Sequence, residues 1–566
     1  MKNETRDRIN SGRAVVLVMM VLIIALVPRI VGLGSVICAD GATWLNRSVT
    51  FVQALKGRDF SETYTAPHPG VTVTALSGLS LGAYVQASLA SRGENFNSLG
   101  EETETYAGFV KRFPYVFVFA KLPIALLTAC CVVLILVLLW QIIGPGPALV
   151  AAVVLATDPF LVAHSRLVHL DATLALLMSS SMLAFIHALL FRKRWSCLGS
   201  GFLGGCALLT RLSALFLLPF GVLLVVAAIL HERWQGHNRE PIPASIRVRQ
   251  LIVFCLMMSA TFVVLFPAMW TGPGDTLRKV FGGSVAHVTG QSNESHEEPD
   301  SGSSIYFKGR VVDDPGAAYY LAVMGYRSLA WVLPLCGIAL LRLAFFRRSE
   351  GPIQKFLVVG LFGYAICYGL AMCLVDFKAD RYYLPVFIAL DIIGGLELAL
   401  IAKAVQKRIG GRNKALKKAP LPVATGLVLC VAVYTLYRIH PNYLSYFNPA
   451  FHTASSVAAE FQIGWGEGLR EAAQYLNKKP DASNLVVASS TDRSFSPFFV
   501  GKTIDLYDFQ EQGADYLVLY ANYVQRNKIP GVTDVYYSQE TPERTITLNG
   551  ITYAWIYKVA NDRNGP

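Results

Sequence analysis

The stretch AVVLVMMVLIIALVPRIVGLGSVI, residues 14–37, is followed directly by Cys38-Ala39-Asp40-Gly41. It is long enough to cross a bilayer, because about 20 apolar residues span the hydrocarbon core. It exceeds a signal-peptide core and lacks a clear small-residue cleavage site, so it predicts a retained span. A carboxylate is costly beside lipid, and the position of Asp40 at the end of this run indicates a functional residue.

Apolar runs of similar length recur along the chain and set its class. The 566 residues are 53% hydrophobic and 16% charged, with a mean hydropathy of +0.44, whereas a soluble domain carries about 25% charged residues. The runs lack the alternation of membrane strands, so they predict an all-α polytopic membrane protein with about 11 transmembrane helices. The predicted spans are 14–37, 113–141, 147–163, 170–191, 197–210, 212–230, 249–269, 317–345, 354–374, 382–402 and 421–439. Arg211 leaves open whether residues 197–230 form one span or two.

The basic residues between the spans predict the orientation. With a cytoplasmic N terminus, every substantial inner segment carries several Lys or Arg, as the positive-inside rule requires. The net charge of +12 therefore indicates topology, and its scatter over short loops argues against a nucleic-acid surface. We expect a multi-pass plasma (inner) membrane protein with an extracytoplasmic C-terminal domain. The basic segments are 2–13, 192–194, 233–249, 342–355 and 403–418.

Two regions are predicted. Residues 1–440 form a transmembrane module with outer loops 38–112 and 271–316, and residues 441–566 form a small extracytoplasmic α/β domain with one helix, 468–478, and strands at 484–489, 516–520 and 551–557. No Cys follows Cys430, so no disulfide framework is expected in that domain.

The outer loops contain three notable segments. Trp44–Leu55 has helical spacing of apolar residues and suits a helix on the membrane surface. Val71–Ala90 is apolar but rich in Gly, Ser and Thr, which favours a half-buried or re-entrant helix over a span. The polar stretch 291–304 fits a lid over a site or a passive linker equally well.

Polar side chains that are unusual in a membrane protein converge on the predicted outer face. An Asp there can act as general base towards a hydroxyl, and Arg or Lys can hold a phosphate. Ion pairing and helix capping explain any single residue better, but the whole set favours function. The candidates are Asp40, His68, Asp158, His164, Arg166, His169, Asp171, Arg211, Lys378 and Arg381.

Metal binding is the competing chemistry. Asp40, Asp158, His164 and Asp171 offer hard ligands for a divalent ion. Gly41 follows Asp40, so the first loop has no dense pair of acids. We expect a site that requires no metal or other cofactor, although a divalent ion is compatible with these side chains.

Several motifs carry a family resemblance. The order Asp40, the His68-Pro-Gly70 loop and the stretch PFLVAHSRLVHLD (159–171) resembles the GT-C glycosyltransferases, more narrowly a bacterial-type member of the protein O-mannosyltransferase and aminoarabinose transferase superfamily. Further similar elements follow in the same order. They are GGCALLTR (204–211), KADRYYLP (378–385), HPNYLSYFN (440–448) and GWGEGL (464–469).

This resemblance implies an enzyme: a glycosyltransferase that moves a sugar from a polyprenyl-phosphate donor to an acceptor hydroxyl on the outer face, with inversion. It implies that Asp40 is the general base. Cations then bind the donor phosphate, with Arg381 and Lys378 as first candidates and Arg211 as a weaker one. His68, His164, Arg166, His169, Asp171 and Asp158 are the expected substrate-binding residues. Protein, lipid and glycan remain open as acceptors.

Three departures from the family pattern are visible. The frequent second acid after the first-loop Asp is Gly41, the usual Lys is Arg211, and the Asp that often precedes Trp-Gly is Gly464. Two other functions stay open on sequence alone, a lipid or glycan transporter (flippase) and a non-catalytic envelope assembly protein. The absence of paired broken helices in two halves argues against a transporter.

Overall fold

The computed structural model describes residues 11–66, 68–95, 99, 105–235, 242–288, 304–345, 351–375, 377–409, 420–451 and 453–559. Within these residues, nine helices are long and apolar enough to cross a membrane, or ten if one bent helix pair counts as a span. A small sheet lies near the C terminus. The predicted fold class, a polytopic helical protein with a small C-terminal α/β part, is confirmed.

Over the described ranges, the helical part contains 18 α-helices in chain order. They are α1 (Ser11–Ile30), α2 (Gly41–Gly57), α3 (Val71–Ala90), α4 (Tyr106–Arg112), α5 (Val116–Ile143), α6 (Pro145–Thr157), α7 (Pro159–His164), α8 (Asp171–Phe191), α9 (Arg194–Thr210), α10 (Leu217–Gln235), α11 (Ala244–Leu265), α12 (Ala268–Thr271), α13 (Pro273–Val288), α14 (Ala318–Arg327), α15 (Val332–Phe345), α16 (Pro352–Cys373), α17 (Leu384–Ile409) and α18 (Pro420–Ile439).

Every predicted span coincides with one or two helices, but several differ in length or continuity. The first helix ends at Ile30 and not at Ile37, so a short irregular segment separates it from Asp40. The predicted span 317–345 is α14 and α15, bent by 112°. The predicted span 147–163 breaks after α6, because Asp158 caps α7 with Pro159 at its first position. Residues 197–230 form two helices, α9 and α10, joined at Arg211 by a 3-10 turn.

Two enclosed helices, α8 and α17, form the middle of the bundle. Asp171 begins α8, and the 3-10 turn Asp380–Tyr383 leads into α17. Asp40 follows α1 and Arg211 follows α9. All four segments lie at one end of the bundle, which we call the site end. The described basic segments, such as Arg192–Arg194, follow or precede the opposite ends of the same helices.

Helix α3 lies along the site end. At its start, Gly70 N–H donates to Thr210 O at 3.2 Å. In its later turns, the Tyr84 hydroxyl accepts from Tyr115 N at 3.3 Å, just before α5 begins. Both contacts lie at the site end, but the length and hydropathy of α3 also allow a span. The half-buried or re-entrant placement of this helix stays a prediction. Helix α2 packs against α3 and buries Trp44, Leu45, Phe51 and Val52.

The C-terminal part contains a five-stranded sheet with strand order β4-β3-β5-β7-β6, of which β4, β3 and β5 are parallel. Helix 469–476 and three strands confirm the predicted elements; two edge strands, β4 and β6, were not predicted. A separate hairpin pairs β1 (Ile305–Phe307) with β2 (Arg310–Val312). The elements are α19 (Ala454–Glu460), α20 (Leu469–Leu476), β3 (Val486–Ser489), α21 (Asp492–Phe495), β4 (Lys502–Asp505), α22 (Phe509–Gln512), β5 (Tyr516–Tyr520), α23 (Ala521–Arg526), α24 (Pro530–Val532), β6 (Arg544–Leu548) and β7 (Ile551–Lys558).

The proposed boundary at residue 440 stays a prediction. The suggested lid, residues 291–304, lies outside the described residues except for Ser304. The ten Cys side chains are all free thiols, of which Cys38, Cys131, Cys197 and Cys336 are buried, whereas Cys130 and Cys430 are exposed on the helices and do not lie in the core.

Candidate functional site

Asp40 is placed at the start of α2 but does not cap it. An Asp at this position usually accepts a hydrogen bond from the first turn of the helix, yet the Asp40 side chain makes none. Its Oδ2 instead lies 3.2 Å from His169 Nε2 and 3.9 Å from Arg381 Nη2. The carboxylate is 35% exposed, so it can meet both a cation and a solvent-borne hydroxyl.

Asp40, His169, Asp171, Arg211 and Arg381 form one charged cluster, and Asp171 is its buried centre. Its Oδ2 lies 2.8 Å from His169 Nδ1 and 3.2 Å from Arg381 Nε, and its Oδ1 lies 3.2 Å from Arg211 Nη1. His169 thus bridges two carboxylates, Asp40 on one ring nitrogen and Asp171 on the other. A buried carboxylate needs such partners, because an unpaired charge away from water is costly.

Aromatic rings enclose the two arginines. The Arg211 guanidinium lies 4.1 Å from the Tyr382 ring centroid, and that of Arg381 lies 4.3 Å from the Trp465 ring centroid. The Trp465 ring also meets the His169 ring edge-on at 4.9 Å. Cation–π contacts of this length attract a guanidinium to the face of the ring.

The ion pairs shift the pKa values of Asp40 and His169 in opposite directions. Burial raises the pKa of the Asp40 carboxyl, but the hydrogen bond and charge of His169, with the charge of Arg381, outweigh burial and lower that pKa. Burial lowers the pKa of His169, but Asp171 and Asp40 outweigh it and raise that pKa. The favoured state is therefore an Asp40 carboxylate beside a protonated imidazole.

Lys378 does not join this cluster. Its Nζ lies 2.6 Å from Asp314 Oδ1 and donates to Val375 O, and the side chain is buried. The neighbouring Asp380 pairs with Arg327 at 2.9 Å. Of the three predicted phosphate-binding cations, the structure brings Arg381 and Arg211 together and places Lys378 apart.

Two predicted substrate-binding residues have local structural partners. Asp158 Oδ1 accepts from Leu161 N at 2.6 Å as the cap of α7. Arg166 donates to Pro28 O at 2.8 Å and Gly32 O at 2.5 Å, which fixes the end of α1. Through these bonds, both residues hold the segment 158–166, which leads to His169.

Of the two remaining predicted histidines, His164 borders the cluster through Trp465, whereas His68 lies in the loop that packs on Trp44. His164 is buried against Trp465, with 5.5 Å between the ring centroids. His68 is half-buried in the loop before α3, and Gly70 in that loop packs so closely on Trp44 that a Cβ there would lie 2.9 Å from its ring. Trp44 in turn contacts His169 edge-on, with centroids 6.0 Å apart.

The aromatic residues around the cluster, Trp465, Tyr382 and Trp44, were not predicted from the sequence as site residues, and Trp465 contacts both Arg381 and His169. It lies in Gly464-Trp465-Gly466-Glu467-Gly468, a stretch that the sequence marks only through the family resemblance. The three glycines have positive φ values of 92°, 120° and 82°, a conformation that few other residues adopt. A tryptophan between such glycines is a signal for a loop that must approach another segment closely.

Among the described residues, no group of three or more His, Cys, Asp or Glu side chains has the geometry to hold a metal ion. The oxygens of Asp171 face His169, Arg211 and Arg381. The arrangement is suited to hold an anion beside a carboxylate base, which is the chemistry of group transfer from a phosphate-bearing donor to a hydroxyl.

A family model and several solved structures are similar to this chain, whereas no curated protein sequence matches it. Among solved structures it is similar to ArnT from Cupriavidus metallidurans bound to undecaprenyl phosphate, with 13% identity, a TM-score of 0.46 and coverage of 99% of this chain and 100% of that one. It is also similar to AglB from Archaeoglobus fulgidus in complex with an inhibitory peptide and a dolichol-phosphate, with 11% identity, a TM-score of 0.47 and coverage of 93% and 72%. Residues 107–259 match the family model described as dolichyl-phosphate-mannose-protein mannosyltransferase, and this match confirms the predicted resemblance to the GT-C glycosyltransferases.

Proposed function

We propose that the protein is a membrane glycosyltransferase that moves a sugar from a polyprenyl-phosphate donor to an acceptor hydroxyl, with inversion at the anomeric carbon. The observation that carries this proposal is the contact between a part-exposed carboxylate, Asp40, and the cation Arg381 at 3.9 Å. The family match over residues 107–259, which include His169, Asp171 and Arg211, supports the same class of donor.

In the proposed reaction, the acceptor oxygen attacks C1 of the sugar while Asp40 removes the hydroxyl proton. The bond from C1 to the phosphate oxygen breaks, and the polyprenyl phosphate leaves with that electron pair. Arg381 and Arg211 stabilise the charge that develops on the leaving phosphate. Because a phosphate held by cations leaves readily, no general acid is needed, in contrast with glycosidases.

The other components of the proposal follow from the surroundings of the cluster. Asp171 is a positioning residue, because its oxygens face His169 and both arginines. No metal is required, since these cations already neutralise the carboxylates. The site end faces the outside of the plasma (inner) membrane, where the acceptor is a protein, lipid or glycan hydroxyl.

The decisive experiment combines identification of the donor with an Asp40→Asn variant. Mass spectrometry of the protein purified with its lipids should find a polyprenyl-phosphate sugar, and that donor should support turnover. Removing the base should lower kcat by about 10²–10⁴-fold while the copurified donor remains bound. Asp59→Asn, which changes an exposed acid in the same loop, is the matched control and should keep full activity.

Direct consumption of a nucleotide sugar in the absence of any polyprenyl phosphate would overturn the donor assignment. Full turnover by the Asp40→Asn variant would overturn the role of Asp40 as the base.

A further inference from the structure

The loop Gly464–Gly468 packs against the C-terminal sheet. Its backbone binds Tyr520, the last residue of β5. At the other end of the loop, a Cβ on Gly468 would lie 3.2 Å from Ile546 of β6 and 3.4 Å from Tyr553 of β7. The sheet therefore supports the loop through three neighbouring strands.

On the side of the sheet, the Tyr520 hydroxyl binds the backbone of this loop. Its hydroxyl accepts a hydrogen bond from Gly466 N at 2.8 Å and lies 2.9 Å from Glu467 O and 3.2 Å from Glu467 Oε2. The buried Glu467 carboxylate also accepts from Trp465 N at 2.5 Å. These bonds fix the backbone on both sides of Trp465.

On its other side, the loop packs against Ile37 and Cys38, the segment before Asp40. A Cβ on Gly466 would lie 2.1 Å from Ile37 O, and a Cβ on Gly464 would lie 2.9 Å from the Tyr520 ring. The loop therefore fits between the sheet and the Ile37–Cys38 backbone only with glycine at these positions. Nearby, Ser494 Oγ donates to Cys38 O at 3.2 Å.

Trp465 projects from this doubly held loop onto Arg381, with 4.3 Å between the guanidinium carbon and the ring centroid. We infer that the C-terminal sheet serves as the mount for Trp465, and that Trp465 is a positioning residue which orients Arg381 for the phosphate of the lipid donor. This inference rests on the proposed function, because it assigns the phosphate to Arg381. The sheet then contributes to donor binding without touching the donor.

The test measures binding of undecaprenyl phosphate to the full-length protein in detergent. Trp465→Ala should weaken binding about tenfold, a factor that corresponds to ~1.4 kcal/mol. Trp465→Phe, which keeps an aromatic face for the guanidinium, should recover part of the loss. In turnover with the copurified donor, the donor KM should rise while kcat changes less, which a general structural defect would not produce.

A second pair of variants tests the contact between the sheet and the Trp465 loop while Trp465 and Arg381 stay unchanged. Tyr520→Phe removes the hydroxyl that binds Gly466 and Glu467 and should also weaken phosphate binding. Tyr553→Phe is the matched control, since Tyr553 is buried in the same sheet and its hydroxyl has no hydrogen-bond partner among the described residues. It should bind as the wild type does.

The outcomes separate the two proposals. Failure of the wild-type protein to bind undecaprenyl phosphate would overturn the proposed function together with this inference. Wild-type binding with unchanged affinity in Trp465→Ala and Tyr520→Phe would overturn the inference alone. So would a Trp465→Ala Arg381→Ala double variant that binds tenfold more weakly than Arg381→Ala, because Trp465 would then act independently of Arg381.

Discussion

At the scale of single residues, His169 is the main partner that lowers the pKa of Asp40, the proposed base. The imidazole lies between Asp40 and Asp171, at 3.2 and 2.8 Å, and its charge lowers the pKa of Asp40 against the effect of burial. An Asp40 with a lowered pKa stays ionised in mildly acidic solution. It therefore keeps its ability to accept a proton over a wide pH range.

The pH profile of a His169→Gln variant tests this relation. In the proposed reaction, activity requires ionised Asp40, so the rate falls as the pH drops through the pKa of Asp40. Without the His169 charge and hydrogen bond, Arg381 alone opposes the effect of burial and the pKa of Asp40 rises, so the acid limb of kcat/KM should move to higher pH. We also expect kcat/KM at neutral pH to fall about tenfold, since Asp40 loses a partner that orients it.

His164→Gln is the matched control for that profile. His164 contacts the same Trp465 ring but makes no ion pair with Asp40 in the part of the chain that the structure describes. Its acid limb should coincide with that of the wild type. An unshifted limb in His169→Gln would contradict the proposed control of Asp40 by His169.

The site residues that could be predicted from the sequence are those whose charged groups are costly to bury. Asp40, His169, Asp171, Arg211 and Arg381 are charged or ionisable groups at helix boundaries, and their burial cost makes them visible in sequence. The interpretation of their neighbours was less certain. Asp158 before Pro159 matches a helix start, and only the fold reveals that Asp314 takes Lys378 away from the cluster.

At the scale of elements, close packing of α2 on α3 places the start of α2, and so Asp40. Gly78 of α3 lies against the α2 backbone, where a Cβ would be 2.3 Å from Ser48 O. The same helix carries Gly82, where a Cβ would meet no atom of another described element within 4 Å. A side chain would therefore clash with α2 at Gly78 but not at Gly82.

A Gly78→Ala variant should separate α2 from α3, because backbone cannot yield as a flexible side chain does. We expect a loss of about 1–3 kcal/mol in unfolding free energy, seen as a lower midpoint of thermal unfolding in detergent, with reduced activity.

Gly82→Ala adds the same methyl group to the same helix in open space. It should be neutral or stabilising by about 0.5–1 kcal/mol. Equal midpoints for the two variants would show that the packing of α2 on α3 does not depend on Gly78.

Element boundaries were less predictable than element type. The hydropathy of residues 14–37 does not reveal that the helix ends at Ile30, since Val31–Ile37 stays apolar while it leaves the helix to reach the site. Likewise, 317–345 reads as one apolar run, yet α14 and α15 meet at 112°. Tertiary contacts, such as Arg327 donating to Leu444 O and Tyr446 O, decide such bends.

At the scale of the whole molecule, charge is divided between the two ends of the bundle. The acids and arginines of the site lie at one end, and the described basic segments, among them Arg192–Arg194 and Lys403–Arg408, lie at the other. The positive-inside rule then predicts that the basic end faces the cytoplasm and the site end faces outside.

Epitope insertions test this orientation. Tags after Arg58, after Glu94 and after Val559 should all be reached by antibody from outside intact spheroplasts, because both ends of α3 contact the site end. A tag after Lys193 should be reached only after the membrane is opened. Accessibility of the Arg58 and Glu94 tags from opposite sides would mean that α3 crosses the membrane and would reverse the predicted orientation of later spans.

The contact between Gly466 and Ile37 also has a consequence for the order of biosynthesis. The chain segment with Asp40 is synthesised early, and helices α1 to α18 all precede Trp465 in the sequence. The Ile37 backbone therefore receives this partner only after the helical bundle has been synthesised. A nascent chain interrupted before Gly464 thus carries Asp40, the proposed base, but not the loop that places Trp465 on Arg381.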